Sequence, residues 1–155
     1  MISYKASKRI LKKGIIKIND ESVLSTNSLN RVSSLNIYSK SNYPSDDNAA
    51  FDGYAINSND TKNINKNKSK AFKIIGSIAA GSKPFKKRVK KFETVEIMTG
   101  SIIPKSFDTI IPIEQINFYP NKKKARYILL NKKVPKFEYV RFKGSDFKKG
   151  DILIS

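Results

Sequence analysis

The strongest constraint on the fold is the brevity of the apolar runs. After "YAI" (Tyr54 to Ile56) they come as "AFKIIGSI" (71–78), "FETVEIM" (92–98), "DTIIPIE" (108–114), "ARYILL" (125–130), "EYVRF" (138–142) and "DILIS" (151–155). Glycine, proline, asparagine or lysine clusters break the chain between them. Runs this short and this rich in β-branched and aromatic residues predict strands, not helices. In "FETVEIM" the alternation places Phe92, Thr94 and Glu96 on one face and Glu93, Val95 and Ile97 on the other. Pro112 cannot donate to a ladder, so its strand belongs at an edge or ends there. The final "DILIS" is apolar to its end, like a segment cut from, or docked against, something larger.

Upstream, Ile2, Ala6 and Ile10 recur at helical spacing and predict a helix over 2–12, with Ser3 as its cap and Gly14 closing it. "GIIKI" (14–18) reads as extended, and 19–22 as a polar turn. Leu29, Val32 and Leu35 are spaced as on a helix within 28–39, against a serine and asparagine content that weakens one. Tyr43-Pro44 closes this part. Residues 57–70 predict an exposed loop and 79–91 a basic connection. The expected class is α+β, with irregular, bent sheets and a few short helices.

The 155 residues contain no cysteine and no histidine. This excludes disulfides, Cys/His zinc sites and every histidine-based triad. Chemistry falls to Asp, Glu, Lys, Arg, Ser, Thr, Tyr, backbone groups or a hard cation such as Mg²⁺. The formal charge of +18 admits two readings. One is a basic module for RNA or another polyanion, with Phe72, Phe85 and Phe92 interleaved among the lysines. The other is compositional drift, because lysine is spread everywhere and arginine, the better phosphate reader, is scarce. No run approaches the ~20 apolar residues that span a bilayer. The N-terminus lacks the apolar core of a secretory signal, which points to the cytoplasm and away from a membrane.

Three stretches could carry chemistry. "SDDNAAFDGYAI" (45–56) fails as a calcium loop: with Gly53 at position six, Ala50 and Asn59 fall where ligands belong. It can equally be a hairpin turn, because Asp-Gly favours positive φ. In the second, Thr99-Gly100 follows a strand and could offer Oγ1 and N–H groups to an oxyanion, or simply end the strand. In the third, Arg141 and Lys143 could hold phosphate or be a solvated face.

Together the three resemble the MoeA/gephyrin E-domain family, the molybdopterin molybdenumtransferases, in its N-terminal and linker region. The boxes are Asp47-Asn48-Ala49-Ala50-Phe51-Asp52-Gly53-Tyr54-Ala55, Ile97-Met98-Thr99-Gly100-Ser101-Ile102-Ile103-Pro104 followed by Asp108 and Glu114, and Arg141-Phe142-Lys143-Gly144-Ser145-Asp146. "SLNRV" (28–32) looks like a family helix. The resemblance implies Asp52 and Thr99 as catalytic residues and Asn48, Gly53, Gly100, Arg141 and Lys143 as substrate-binding ones. None of them is implied as a metal ligand. It implies a chain inactive alone, taking part in molybdate insertion into adenylylated molybdopterin, with Mg²⁺ bound mainly by a doubly wound domain that this chain lacks. A homodimer, or a separately encoded molybdopterin-binding domain, would complete the cleft. Asp52 would orient the pterin, a water or Mg²⁺, because a carboxylate repels molybdate. Thr99 and the Gly100 N–H suit an anionic group better. The expected division is a body of 1–50 with 137–155 and an inserted β-rich lobe over 51–136.

Overall fold

In this computed structural model residues 1–16, 18–83 and 85–155 are described. They form one helix, α1 (Tyr4–Lys13), and strands β1 (Ile37–Tyr38), β2 (Asn48–Ala49), β3 (Gly53–Ile56), β4 (Lys70–Ile78), β5 (Glu93–Ile97), β6 (Thr109–Pro112), β7 (Asn117–Tyr119), β8 (Tyr127–Leu130), β9 (Val140–Arg141) and β10 (Ile152–Ile154), with four short 3₁₀ turns. Irregular sheets with few, short helices are the expected class. No helix among the described residues is long and apolar enough to cross a membrane. The chain divides into two compact units, 1–37 with 153–155, and 38–152.

In the first unit α1 forms where its spacing predicts. Ser3 accepts from the Ala6 N–H at 3.2 Å, and the Gly14 N–H closes the other end on Ile10 and Leu11 carbonyls. A hydroxyl at this cap satisfies one of the four N–H groups that a helix start leaves unpaired. Of "GIIKI", Lys17 lies outside the described residues, and the others belong to no strand. The helix expected from Leu29, Val32 and Leu35 does not form. A 3₁₀ turn at Ser25–Asn27 ends just before the segment, and Asn30 within it sits at φ +63°. Serines here bond to nearby backbone, as with Ser28 Oγ on Ser25 O and Ser33 Oγ on Leu35 O, and compete with a helix.

The second unit is built on a six-stranded sheet of order β6-β3-β5-β4-β8-β7. Only β4 and β5 run parallel; β3 lies antiparallel between β5 and β6. Pro112 ends the edge strand β6, as its missing N–H requires. Period-two alternation on β3 sends Tyr54 and Ile56 to one face and Ala55 to the other. Tyr54 and Ile56 join Phe72, Ile111 and Ile128 in one core. Ala55 joins Ile78, Val95, Ile97 and Ile110 in a second. The sheet is thus covered on both faces, and Thr94, opposite Val95 and Ile97 on β5, is buried too. Its hydroxyl is satisfied by Ala55 O at 2.8 Å.

The expected exposed loop at 57–70 is partly buried. Ser58, Thr61 and Ile64 are inside, because side chains supply the hydrogen bonds the loop backbone needs. Asp108 accepts from the Ser58 N–H at 2.7 Å and from its hydroxyl at 2.9 Å. Thr61 Oγ1 donates to Ser58 O and accepts from the Val134 N–H at 3.0 Å. Thr61→Val keeps the shape but strands that buried N–H, so urea denaturation should show a loss of about 1–3 kcal/mol. An unchanged midpoint would mean that Val134 finds another partner. In the basic connection Pro84 lies outside the described residues; Phe85 and Val89 pack on the second core.

Candidate functional site

The candidate residues sit where three segments meet at one end of β3 and β5. β2 pairs with β9, setting Asn48 opposite Arg141 and Ala49 opposite Val140, and Asn48 also bridges to Ile102. The turn after β5 is stitched to β2: the Ala49 N–H donates to Ser101 O, the Gly100 N–H to Ala49 O and the Ile103 N–H to Asp47 O, each at 2.9 Å. These bonds hold the turn after β5 beside the turn joining β2 to β3. They explain why residues nearly fifty apart in sequence converge.

Asp52 and Thr99 are the point of convergence. The Thr99 hydroxyl and the Thr99 backbone N–H both donate to Asp52 Oδ1, each at 2.6 Å. Both residues are exposed. Asp52 Oδ2 accepts no hydrogen bond among the described residues. The hydroxyl, and after it the N–H, hold the Asp52 carboxyl below the ordinary aspartate value of 3.8, because both bonds favour the charged form. At neutral pH the pair therefore presents one anchored and one unpartnered carboxylate oxygen at the surface. It can accept a proton donor or an N–H group and can offer one ligand to a cation.

The other predicted residues fall into distinct roles. Gly53 is buried in β3 and offers no side chain. Its smallness is a packing requirement, since an added Cβ would lie 2.0 Å from Ile111 O. Gly100 has φ +80°, which glycine adopts without strain. Its N–H is engaged by Ala49 O, and Thr99 gives both its donors to Asp52. The expected anion cradle at Thr99-Gly100 is therefore closed in this conformation. With its amide turned so that the nitrogen faces the Asp46 and Asp47 carbonyls, Asn48 would donate to both, at 3.0 and 3.3 Å. Arg141 is paired with Asp146 and lies over the Tyr43 ring. The Lys143 N–H donates to Asp47 Oδ1 at 2.8 Å, so this residue's backbone ties the third box to the first. Sequence reasoning missed Tyr139, whose ring meets Phe51 edge-on at 5.0 Å. Its only signal was its place in the expected strand "EYVRF" (138–142).

No group of three or more acidic side chains able to hold a metal occurs among the described residues. Asp52 offers at most one ligand, and this set does not by itself fit a Mg²⁺ ion.

The profile of the family described as MoeA N-terminal region (domain I and II) matches residues 2–155. The molybdopterin molybdenumtransferase of Haemophilus influenzae is 32% identical over 126 residues, which cover 81% of this chain and 28% of that protein. That of Bacillus subtilis is 27% identical over 128 residues, covering 83% and 29%. A crystal structure of the molybdopterin biosynthesis moeA protein from Pyrococcus horikoshii OT3 superposes with TM-score 0.86 at 26% identity, covering 99% of this chain and 39% of that one. The chain thus spans roughly a third of the proteins it matches.

Proposed function

The chain belongs to the MoeA N-terminal region family, and on that premise we propose that it supplies one wall of the site where a molybdopterin molybdenumtransferase inserts molybdate into adenylylated molybdopterin. The observation that carries the proposal is the exposed Asp52–Thr99 pair. Its charge decides its role. An anionic carboxylate repels molybdate, so Asp52 faces a donor on the pterin or a water. Thr99 fixes the carboxylate's direction by two bonds to one oxygen, which leaves the other aimed outward. Such fixed orientation is what a positioned acceptor contributes to catalysis.

The reading assigns the rest of the site elsewhere. In the relatives it matches, about two-thirds of the length has no counterpart here. A molybdopterin-binding domain, on a second subunit or a separately encoded chain, closes the cleft in this reading. Any Mg²⁺ belongs mainly to that domain in this reading, because no group of three or more acidic side chains among the described residues could hold one. The cytoplasm is the setting that suits such a biosynthetic step.

The test is a chimera in which this chain replaces the matching region of the Haemophilus influenzae relative. Molybdenum insertion should be restored in the chimera and absent from the 155-residue chain by itself. A folded but inert chimera would remove the transferase reading. Turnover by the chain alone would refute the need for the other wall.

A further inference from the structure

We infer that Tyr139 is a positioning residue: with Phe51 and Gln115 it closes a ring of contacts that holds the turn carrying Asp52 against Thr99. The circuit can be followed atom by atom. Phe51, the residue before Asp52, meets the Tyr139 ring edge-on, with centroids 5.0 Å apart and planes at 78°. The Tyr139 hydroxyl accepts from Gln115 Nε2 at 3.1 Å. Gln115 ends the 3₁₀ turn Ile113–Gln115, and the Ile113 N–H donates to Asp52 O at 3.0 Å. The same tyrosine takes the Ala50 N–H on its carbonyl at 3.0 Å. The turn is thus gripped from both sides of Asp52, and Tyr139 supplies two of the grips.

Its backbone marks the position as unusual. Tyr139 has φ +56°, and Phe137 two residues before has φ +67°. Bulky residues rarely occupy this left-handed region, and such strain persists only where surrounding structure imposes it. Here the segment is pinned to β6 through the Ile110 N–H on Glu138 O at 3.1 Å. Tyr139 also packs on the second core, so a simple packing role is the competing explanation. The two differ in what they require of Phe51, which is half exposed and contributes little to a core.

The role in catalysis rests on the transferase reading above; the geometric claim does not, and the experiment addresses the geometry. The Asp52 side-chain carboxyl is titrated by ¹³C NMR in the full chain, in wild type and in three variants. Tyr139→Gly keeps a backbone that glycine adopts freely and deletes the ring. Phe51→Ala deletes the facing ring at a half-exposed position, and Tyr139→Phe retains the ring. The Asp52 midpoint should rise to the ordinary aspartate range in Tyr139→Gly and Phe51→Ala, and rise by less in Tyr139→Phe, which keeps the ring against Phe51 and loses only the Gln115 bond. A tyrosine that only fills the core would reduce thermal stability and leave the midpoint low. A low midpoint in folded Tyr139→Gly overturns the inference. Should that variant not fold, a low midpoint in Phe51→Ala overturns it alone.

Discussion

Gly53→Ala should cost about 3 kcal/mol or more of the chain's folding stability. Gly53 lies in β3 with Ile97 beside it on β5 and Pro112 on β6. A Cβ there would stand 2.0 Å from Ile111 O, 2.8 Å from Ile111 C and 3.0 Å from the Pro112 Cα. All three are backbone atoms, so no side chain can swing away. β6 cannot retreat either: Thr109 Oγ1 donates to Pro135 O at 2.8 Å and the Ile110 N–H to Glu138 O. Overpacking a core costs about 1–3 kcal/mol and occasionally more. A backbone collision belongs at or above the upper end, against a total of about 5–15 kcal/mol for a domain. Urea unfolding should show the midpoint collapse. A wild-type midpoint would mean that β3 and β6 separate freely, and Gly53 would then need a role beyond packing.

Asp52→Asn has the opposite profile: folding is kept and turnover is lost. Asn-Gly suits a turn as well as Asp-Gly does, and the position is exposed, so stability should move by no more than about 0.5 kcal/mol. The amide oxygen can still accept from both Thr99 donors. The change is confined to the other atom, where an anionic acceptor becomes a neutral donor. Removing one preorganised electrostatic contact at a reacting centre costs about 10²–10³ in turnover. That loss is expected for molybdenum insertion by the chimera in which this chain replaces the matching region of the Haemophilus influenzae relative. A variant that folds and turns over normally would reduce Asp52 to a turn former.

The convergence of Asp52 and Thr99 was legible because both lie in short, ordered boxes. Asp52 and Thr99 could be paired on that basis, since a resemblance in order and spacing implies convergence. The local meaning of their neighbours was not legible. Whether the Gly100 N–H is free for an anion depends on where Ala49 O falls, and a ladder between distant segments decides that. Gly53 reads as half of a turn dipeptide, yet its requirement comes from Ile111, nearly sixty residues away. Tyr139 was legible only as a residue of the expected strand "EYVRF"; its positive φ is imposed by tertiary contacts and was not.

In the fold, the long strands could be read from alternation, and Pro112 placed its strand at an edge. β1 and β2, only two residues each, are too short to have a pattern, whereas β9 falls within the expected strand "EYVRF". The 28–39 segment failed for the opposite reason. Its apolar spacing is helical, but Leu29, Val32 and Leu35 are exposed, so the chain gains no burial to offset the preference of serine and asparagine for turns.

A double-mutant cycle on molybdenum insertion tests the pairing most directly, comparing the unmutated chimera with its Asp52→Asn, Thr99→Val and double variants. If the hydroxyl acts by aiming the carboxylate, Thr99→Val lowers turnover, and the double variant is no slower than Asp52→Asn alone. Single losses that multiply in the double variant would contradict this, because the two residues would then be working apart.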